Sequence, residues 1–170
     1  MDKFDIKSMT VNEISQSFLI HSFESFRAKQ VYGWLVKGVS SFEEMSNIPQ
    51  KLKEFLNENY FIADVKIKDK KVSLDGTIKY LFELYDGQLI EAVIMKYNHG
   101  YSMCLSTQVG CKMGCAFCVT GKGGFTRNLA PSEMISQVQM AQKDGNIKIS
   151  NIVLMGMGEP LDNYDNVINF

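Results

Sequence analysis

The spacing of apolar residues changes from helical to alternating near residue 60, and this switch limits the folds open to the chain more than any other feature. Thr10-Val11-Asn12-Glu13 has the form of a capping box, and Ile14, Phe18 and Leu19 recur as on the inner side of the short helix it would open. A second helix is predicted from about Phe26 to Lys37, with Val31, Trp34 and Leu35 on its apolar side and Gly38 as its stop. Ser41-Phe42-Glu43-Glu44 repeats the capping pattern, and Pro49 opens a fourth segment with Leu52, Phe55 and Leu56 at helical spacing. Beyond residue 60 the period is two. Val65 and Ile67 alternate with lysines, while Thr77 to Leu84 and Leu89 to Met95 are rich in strand formers. Asp75-Gly76 and Asp86-Gly87 fall between these runs, where tight hairpin turns are wanted.

From Gly100 the order becomes strand, long loop, helix, strand, helix start. Tyr101 to Val109 is predicted as a strand, Gly110 to Asn128 as a loop, and Pro131 to about Lys143 as a helix with Met134, Ile135 and Val138 facing inward. Ile147 to Met155 is apolar and β-branched enough for a buried parallel strand, and Asn163 begins another helix. The expected fold class is therefore α+β passing into α/β: a small helical domain over 1–60, an antiparallel β linker segment over 61–97, and the first, incomplete part of a (β/α) partial barrel over 98–170. Two parallel strands cannot cover both their faces. Ile152, Val153 and Leu154 are thus expected to lack neighbours, at roughly 25 cal/mol for each Å² of apolar surface left wet.

Composition removes several classes. Hydrophobic residues make up 45% and charged residues 22%, which excludes a disordered chain. Eighteen basic against nineteen acidic side chains give a net charge of -1, which excludes an overall basic coat. The start, Met1-Asp2-Lys3-Phe4-Asp5, lacks the apolar core of a secretory signal, and no run approaches the roughly 20 apolar residues of a membrane span. A soluble, cytoplasmic protein is expected.

Three of the four cysteines, Cys111, Cys115 and Cys118, fall within eight residues, a distribution unsuited to a disulfide framework. One loop would thus bring three soft thiolates toward one point, and such donors suit iron–sulfur clusters or zinc. Structural zinc wants four ligands, and no second cysteine pair exists. A cluster with one iron open to a substrate or cofactor fits the count better; a closed site with Cys104 as fourth ligand is the alternative. Downstream, Met155-Gly156-Met157-Gly158-Glu159-Pro160 combines glycines that admit close backbone approach with a carboxylate able to receive an ammonium. By itself it also reads as an ordinary strand-to-helix turn.

Cys-x-x-x-Cys-x-x-Cys after a strand, with Phe117 before the last cysteine, resembles the radical S-adenosylmethionine superfamily. More specifically, Gln108-Val109-Gly110-Cys111, Arg127-Asn128-Leu129 and the run from Met155 to Asn163 resemble the dual-specificity RNA methyltransferases that methylate carbon 2 of adenine in 23S ribosomal RNA and transfer RNA. Phe26-Arg27-Ala28-Lys29-Gln30-Val31, Trp34-Leu35 and Ile48-Pro49 resemble the N-terminal, RNA-binding accessory domain of the same family, so the resemblance spans nearly the whole chain. It implies a [4Fe–4S] cluster held by Cys111, Cys115 and Cys118, and S-adenosylmethionine contacted by Gly158 and Glu159. It further implies that Glu91 is a proton acceptor and that Cys104 is a catalytic thiol which helps resolve a covalent protein–RNA intermediate. Without the resemblance, Glu91 reads as an exposed strand carboxylate and Cys104 as a small buried strand residue. The implied partners are 23S rRNA, tRNA and an electron donor for the cluster; the implied protein is a monomer without membrane contact. Three alternatives stand beside this: a carbon-8 rRNA methyltransferase, a zinc-bound RNA-binding module without catalysis, and another radical enzyme such as a glycyl-radical activase.

No acidic residue lies between Glu91 and Glu133, whereas Lys96, Lys112, Lys122 and Arg127 are basic, so the cysteine loop is expected in a locally positive field suited to phosphate. His99 reads as a turn residue. Members of the family run about twice as long and carry the methyl-bearing cysteine near their C-terminus, but no cysteine follows Cys118 here. The chain thus reads as a truncated N-terminal half, expected to be catalytically incompetent alone.

Overall fold

A computed structural model describes residues 3–170. The chain divides into two compact units, one reaching to Ala63 and the other running from Asp64 to Phe170.

The first unit is helical. It holds β1 (Phe4–Asp5), α1 (Val11–Ile20), α2 (Phe26–Val36), α3 (Gln50–Asn59) and β2 (Tyr60–Phe61), with 3-10 turns at Ile6–Ser8 and Phe42–Glu44. The capping box at α1 is formed: the Glu13 N–H donates to Thr10 Oγ1 at 3.3 Å and the Thr10 N–H to Glu13 Oε2 at 2.7 Å. Ile14, Phe18, Val31, Leu35, Leu52 and Leu56 close a common core. Leu19, expected inside, is 59% exposed. The helix expected after Ser41 is one 3-10 turn. Glu44 Oε1 receives the N–H groups of both Ser40 and Ser41 at 2.9 Å, and the backbone leaves the helix at Met45, whose side chain is wholly buried. β1 pairs in parallel with β2, Phe4 opposite Tyr60, a link between residues too distant in sequence for local pattern to reveal.

The second unit is built on a five-stranded sheet. Its strands are β3 (Lys66–Val72), β4 (Ile78–Glu83), β5 (Leu89–Tyr97), β6 (Gly100–Cys104) and β9 (Ile149–Val153), adjacent in that order. The first four are antiparallel, so the meander continues through a turn at Asn98–His99 into β6, and β9 joins β6 in parallel. The strand expected over Tyr101 to Val109 is broken. After β6 the backbone turns toward β9, with the Leu105 N–H donating to Val153 and the Leu105 carbonyl accepting from Gly156 (both 3.0 Å). A separate β7 (Gln108–Gly110) then pairs with β8 (Phe125–Asn128), and α4 (Val119–Lys122) lies in the loop between them.

α5 (Pro131–Gly145) starts with proline in its first turn, where a missing N–H costs nothing, and packs on one face of the sheet. Met134, Val138 and Ala141 meet Tyr80, Phe82, Ile90, Ile94, Met103 and Leu105 there. The Tyr80 hydroxyl donates to Asp144 at 2.7 Å and fixes the end of the helix. A 3-10 turn at Pro160–Asn163 leads into α6 (Tyr164–Asn169). β9 is not the buried strand its composition predicts. It is the sheet's edge, and Ile152 and Val153 are 40% and 38% exposed.

Candidate active site

The face of the sheet opposite α5 carries the two residues implied in proton and thiol chemistry. Directly paired strand residues share a face, as do residues two apart. Cys104 stands opposite Val93 on β5 and opposite Val153 on β9, and Glu91 lies two residues before Val93, so Glu91 and Cys104 project on the same side. Glu91 is held by Lys79 across the β4–β5 pair, Nζ to Oε1 at 2.8 Å, beside a shallow cavity of about 150 Å³ lined also by Asp69, Lys71 and Leu81. Burial pushes the Cys104 thiol up from its ordinary value, against a weaker downward pull from a hydrogen bond with the Met155 backbone.

The cysteine loop leaves and re-enters through the β7–β8 ladder. Cys111 is fixed by that ladder, its N–H donating to the Gly124 carbonyl at 2.8 Å, while the Cys118 N–H donates to the Cys115 carbonyl at 3.0 Å. Gly110 permits the entry. Its φ is +75°, and an added Cβ would stand 2.0 Å from the Gly124 carbonyl oxygen. All three loop thiols are free: Cys111 is buried, Cys118 half-buried and Cys115 exposed. Among the described residues no three metal-ligating side chains converge in one cluster. The donor set nonetheless fits an iron–sulfur cluster chemically, three soft thiols on one loop. Hydrogen bonding from the Gly121 backbone, and less from Thr120, lowers the Cys118 value toward the thiolate that ligates. Cys104, on the sheet, joins no such group.

The segment after β9 docks against the base of this loop. The Met157 carbonyl accepts from the Thr107 and Gln108 N–H groups at 2.8 and 3.2 Å. Gly158 lies so close to Gln108 that a Cβ would meet its side chain at 2.6 Å, and its φ is +101°. Glu159 directs Oε1 to the Leu161 N–H at 3.0 Å, capping the 3-10 turn that follows.

Two buried polar residues tie these pieces together: Ser106, which no sequence motif names, and Gln108, which enters the sequence reading only within a resemblance motif and is given no role there. Ser106 donates to the Glu91 carbonyl at 2.6 Å and accepts the Met157 N–H at 2.8 Å, while Gln137 of α5 pairs with both backbone groups of Ser106. Gln108 takes the Glu159 N–H on Oε1 at 2.9 Å, and its Nε2 donates to Asn128 and Asp162, each at 2.8 Å. No local sequence signal gives these roles, because the partners that a buried amide or hydroxyl needs are brought to it by the fold.

The positive field expected around the loop is largely cancelled. Arg127 contacts Asp86 at 2.8 Å and grips the buried Glu133 at 2.8 Å through each terminal nitrogen, while Lys112 pairs with Asp162 at 2.9 Å. The acids come from the β4–β5 turn, α5 and the turn after β9, regions outside the acid-free stretch. His99 stacks on Tyr97 at 5.2 Å in the β5–β6 turn. No helix among the described residues is long and apolar enough to cross a membrane.

Comparison with known proteins finds relatives along the whole chain. A family model described as ribosomal RNA large subunit methyltransferase N-terminal domain matches residues 4–62. The probable dual-specificity RNA methyltransferase RlmN of Alkaliphilus metalliredigens is 52% identical over 171 residues, covering 100% of this chain and 49% of that protein. Its namesake in Clostridium novyi is 51% identical over 168 residues, covering 98% of this chain and 49% of its own length. The crystal structure of a radical SAM methyltransferase from Sphaerobacter thermophilus superposes with a TM-score of 0.86 at 34% identity, over 98% of this chain and 50% of that one. The chain spans about half the length of the curated relatives it matches. From end to end it is a relative of the N-terminal half of the dual-specificity RNA methyltransferases, enzymes of radical S-adenosylmethionine type.

Proposed function

We propose that this chain supplies the cluster loop, the cofactor's amino-group contact and the proton-transfer pair of a cytoplasmic, monomeric methyltransferase acting on carbon 2 of adenine in 23S rRNA and tRNA. What supports this most is one observation: the base of the cysteine loop and the Gly158-Glu159 segment form a single hydrogen-bonded joint, through the Met157 carbonyl and the Gln108 side chain. Two segments whose joining residues, Gln108 and Glu159, are 51 apart in sequence are thereby held where one ligand could touch both.

Cys111, Cys115 and Cys118 would hold a [4Fe–4S] cluster, with Gly158 and Glu159 facing the amino group of S-adenosylmethionine. When bound and reduced by an electron donor, the cluster supplies the electron that cleaves the cofactor's sulfonium. The chain's own residues handle protons and the thiol. Lys79 pairs with Glu91, whose carboxylate can accept a proton at Oε1 or Oε2. Burial keeps Cys104 as the neutral thiol until a base acts on it. Both lie on the sheet face left open by α5, which an adenine could approach. Completing the reaction requires a methyl-bearing cysteine, and none follows Cys118, so the 170-residue polypeptide alone is expected not to methylate RNA.

Anaerobic reconstitution with iron and sulfide tests this. About four irons per chain are expected, with an electron paramagnetic resonance signal in the reduced protein that shifts on adding S-adenosylmethionine. A colourless protein that takes up zinc instead, or a signal indifferent to the cofactor, would overturn it. RNA methylation by the 170 residues alone would overturn the last point.

A further inference from the structure

Gln108 has no polar atom left unused. It is fully buried, it stands three residues before Cys111, and its carboxamide makes three hydrogen bonds to two segments, β8 and the turn after β9. Their direction is fixed by chemistry. Oε1 faces the Glu159 N–H, a donor, and Nε2 faces the Asp162 carboxylate, which only accepts. Turning the amide over would set donor against donor at Glu159 and oxygen against a carboxylate at Asp162. Asp162 in turn binds Lys112, the residue after Cys111, at 2.9 Å. A continuous path therefore runs from the cysteine loop through Lys112, Asp162 and Gln108 to the backbone of Glu159. Gly158 completes it from the other side, because only a residue without a Cβ fits against the Gln108 stem.

We infer that Gln108 is the positioning residue that sets Glu159 relative to the cysteine loop, so that the cofactor's amino group is received only when the loop is in place. This rests on the cofactor-binding reading above. The buried polar neighbours of Gln108 join backbone groups to one another: Ser106 links the Glu91 carbonyl to the Met157 N–H, and Asn163 donates to the Thr107 and Leu129 carbonyls. Gln108 alone among the residues at this joint reaches the N–H of the carboxylate residue itself while holding the loop's partner Asp162.

The test uses the reconstituted holoprotein and two variants. Gln108→Glu has the same shape and keeps an acceptor for the Glu159 N–H, but loses both donors and sets a carboxylate against Asp162. Adding Asp162→Asn to it returns a donor at that contact. Iron per chain, the dissociation constant for S-adenosylmethionine from the resonance shift, and amide hydrogen exchange at Glu159 in the cluster-free protein are read on each. The single variant is expected to retain its iron, bind the cofactor at least tenfold more weakly and exchange the Glu159 amide faster. The double variant is expected to recover most of both changes. Unchanged affinity in the single variant overturns the inference. So does loss of iron together with affinity that the second substitution does not restore, since that would make Gln108 a strut of the loop only. If the unsubstituted protein binds iron but shows no response to the cofactor, the underlying reading fails, and this inference with it.

Discussion

Glu91 and Cys104 project from one face of the sheet on neighbouring strands, Cys104 directly opposite Val93 and Glu91 two residues before it. The opposite face is closed by α5, so this pair lies on the side where a base could approach. Ser106 braces the arrangement by bonding the Glu91 carbonyl to the segment that follows β9.

The pair should be separable from folding. The Glu91 side chain is 46% exposed, and Cys104 is only half-buried. Glu91→Gln and Cys104→Ala, made in a protein that joins this sequence to the remaining half of a full-length relative, are expected to leave iron content and thermal midpoint nearly unchanged. Methylation of RNA should fall by about 10²–10⁴-fold in each, the range for losing a positioned proton-transfer group. Methyl transfer from labelled cofactor at saturating RNA measures this, and activity within a few-fold of the parent would remove both residues from the chemistry.

Arg127 is expected to matter for stability out of proportion to its place near the surface. Glu133 is 2% exposed and is neutralised by a two-point contact with Arg127, which also binds Asp86. Arg127→Met would leave a buried carboxylate without its cation, a loss of about 3–5 kcal/mol for pairs of this kind. Urea unfolding should show a lower midpoint at neutral pH, and the added substitution Glu133→Gln should recover part of it. A loss below about 1 kcal/mol, the worth of a surface pair, would contradict this.

Much of this architecture is legible in sequence where local chemistry decides it. The Thr10–Glu13 box caps a helix, Asp75-Gly76 and Asp86-Gly87 turn hairpins, and Pro131 opens α5. The Ser41–Glu44 box shows the limit of such signals: the same hydrogen bonds close around a single 3-10 turn, because the burial of Met45 takes the chain out of the helix. Tyr101 to Val109 reads as one strand, but Leu105 spends its backbone groups on β9 and Gly156. The cations near the cysteine loop look unopposed in sequence, yet Asp86 lies forty-one residues from Arg127 and Asp162 fifty from Lys112. The cysteines and the Gly-Glu segment stand out by type and spacing. Gln108 and Ser106 do not, since their roles come from neighbours that only the fold assembles.

Acid should weaken the second unit in a defined way. The Arg127 hydrogen bond holds the Asp86 carboxyl below its ordinary 3.8, and the Lys70 hydrogen bond, then that of Tyr80, does the same for Asp144. A carboxyl lowered in the folded state contributes fully above its unfolded value and loses that contribution as pH falls through the folded one. The unfolding midpoint should therefore hold from neutral pH to about pH 5 and drop below about pH 4. Asp144→Asn should begin lower at pH 7 and fall less steeply between those values. Parallel curves for parent and variant would show that Asp144 carries none of the acid sensitivity.

The cysteine loop depends on a backbone approach that no side chain can enter. At Gly110 an added Cβ would lie 2.0 Å from the Gly124 carbonyl oxygen and 2.9 Å from its carbon, both main-chain atoms unable to swing aside. Gly110→Ala must therefore push β8 away from β7 and break the Cys111 N–H bond to Gly124, the bond that anchors the loop. Gly87 is the matched control. Its φ of +80° is like the +75° of Gly110, but nothing lies within 4 Å of its Cβ position. Alanine at Gly87 should cost only the backbone term, about 1–2 kcal/mol, and leave iron uptake intact. Alanine at Gly110 should carry the same backbone cost and also lose most of the iron bound on reconstitution, with far-ultraviolet circular dichroism little changed. Equal iron in the two variants would mean that the β7–β8 joint does not hold the loop for its metal.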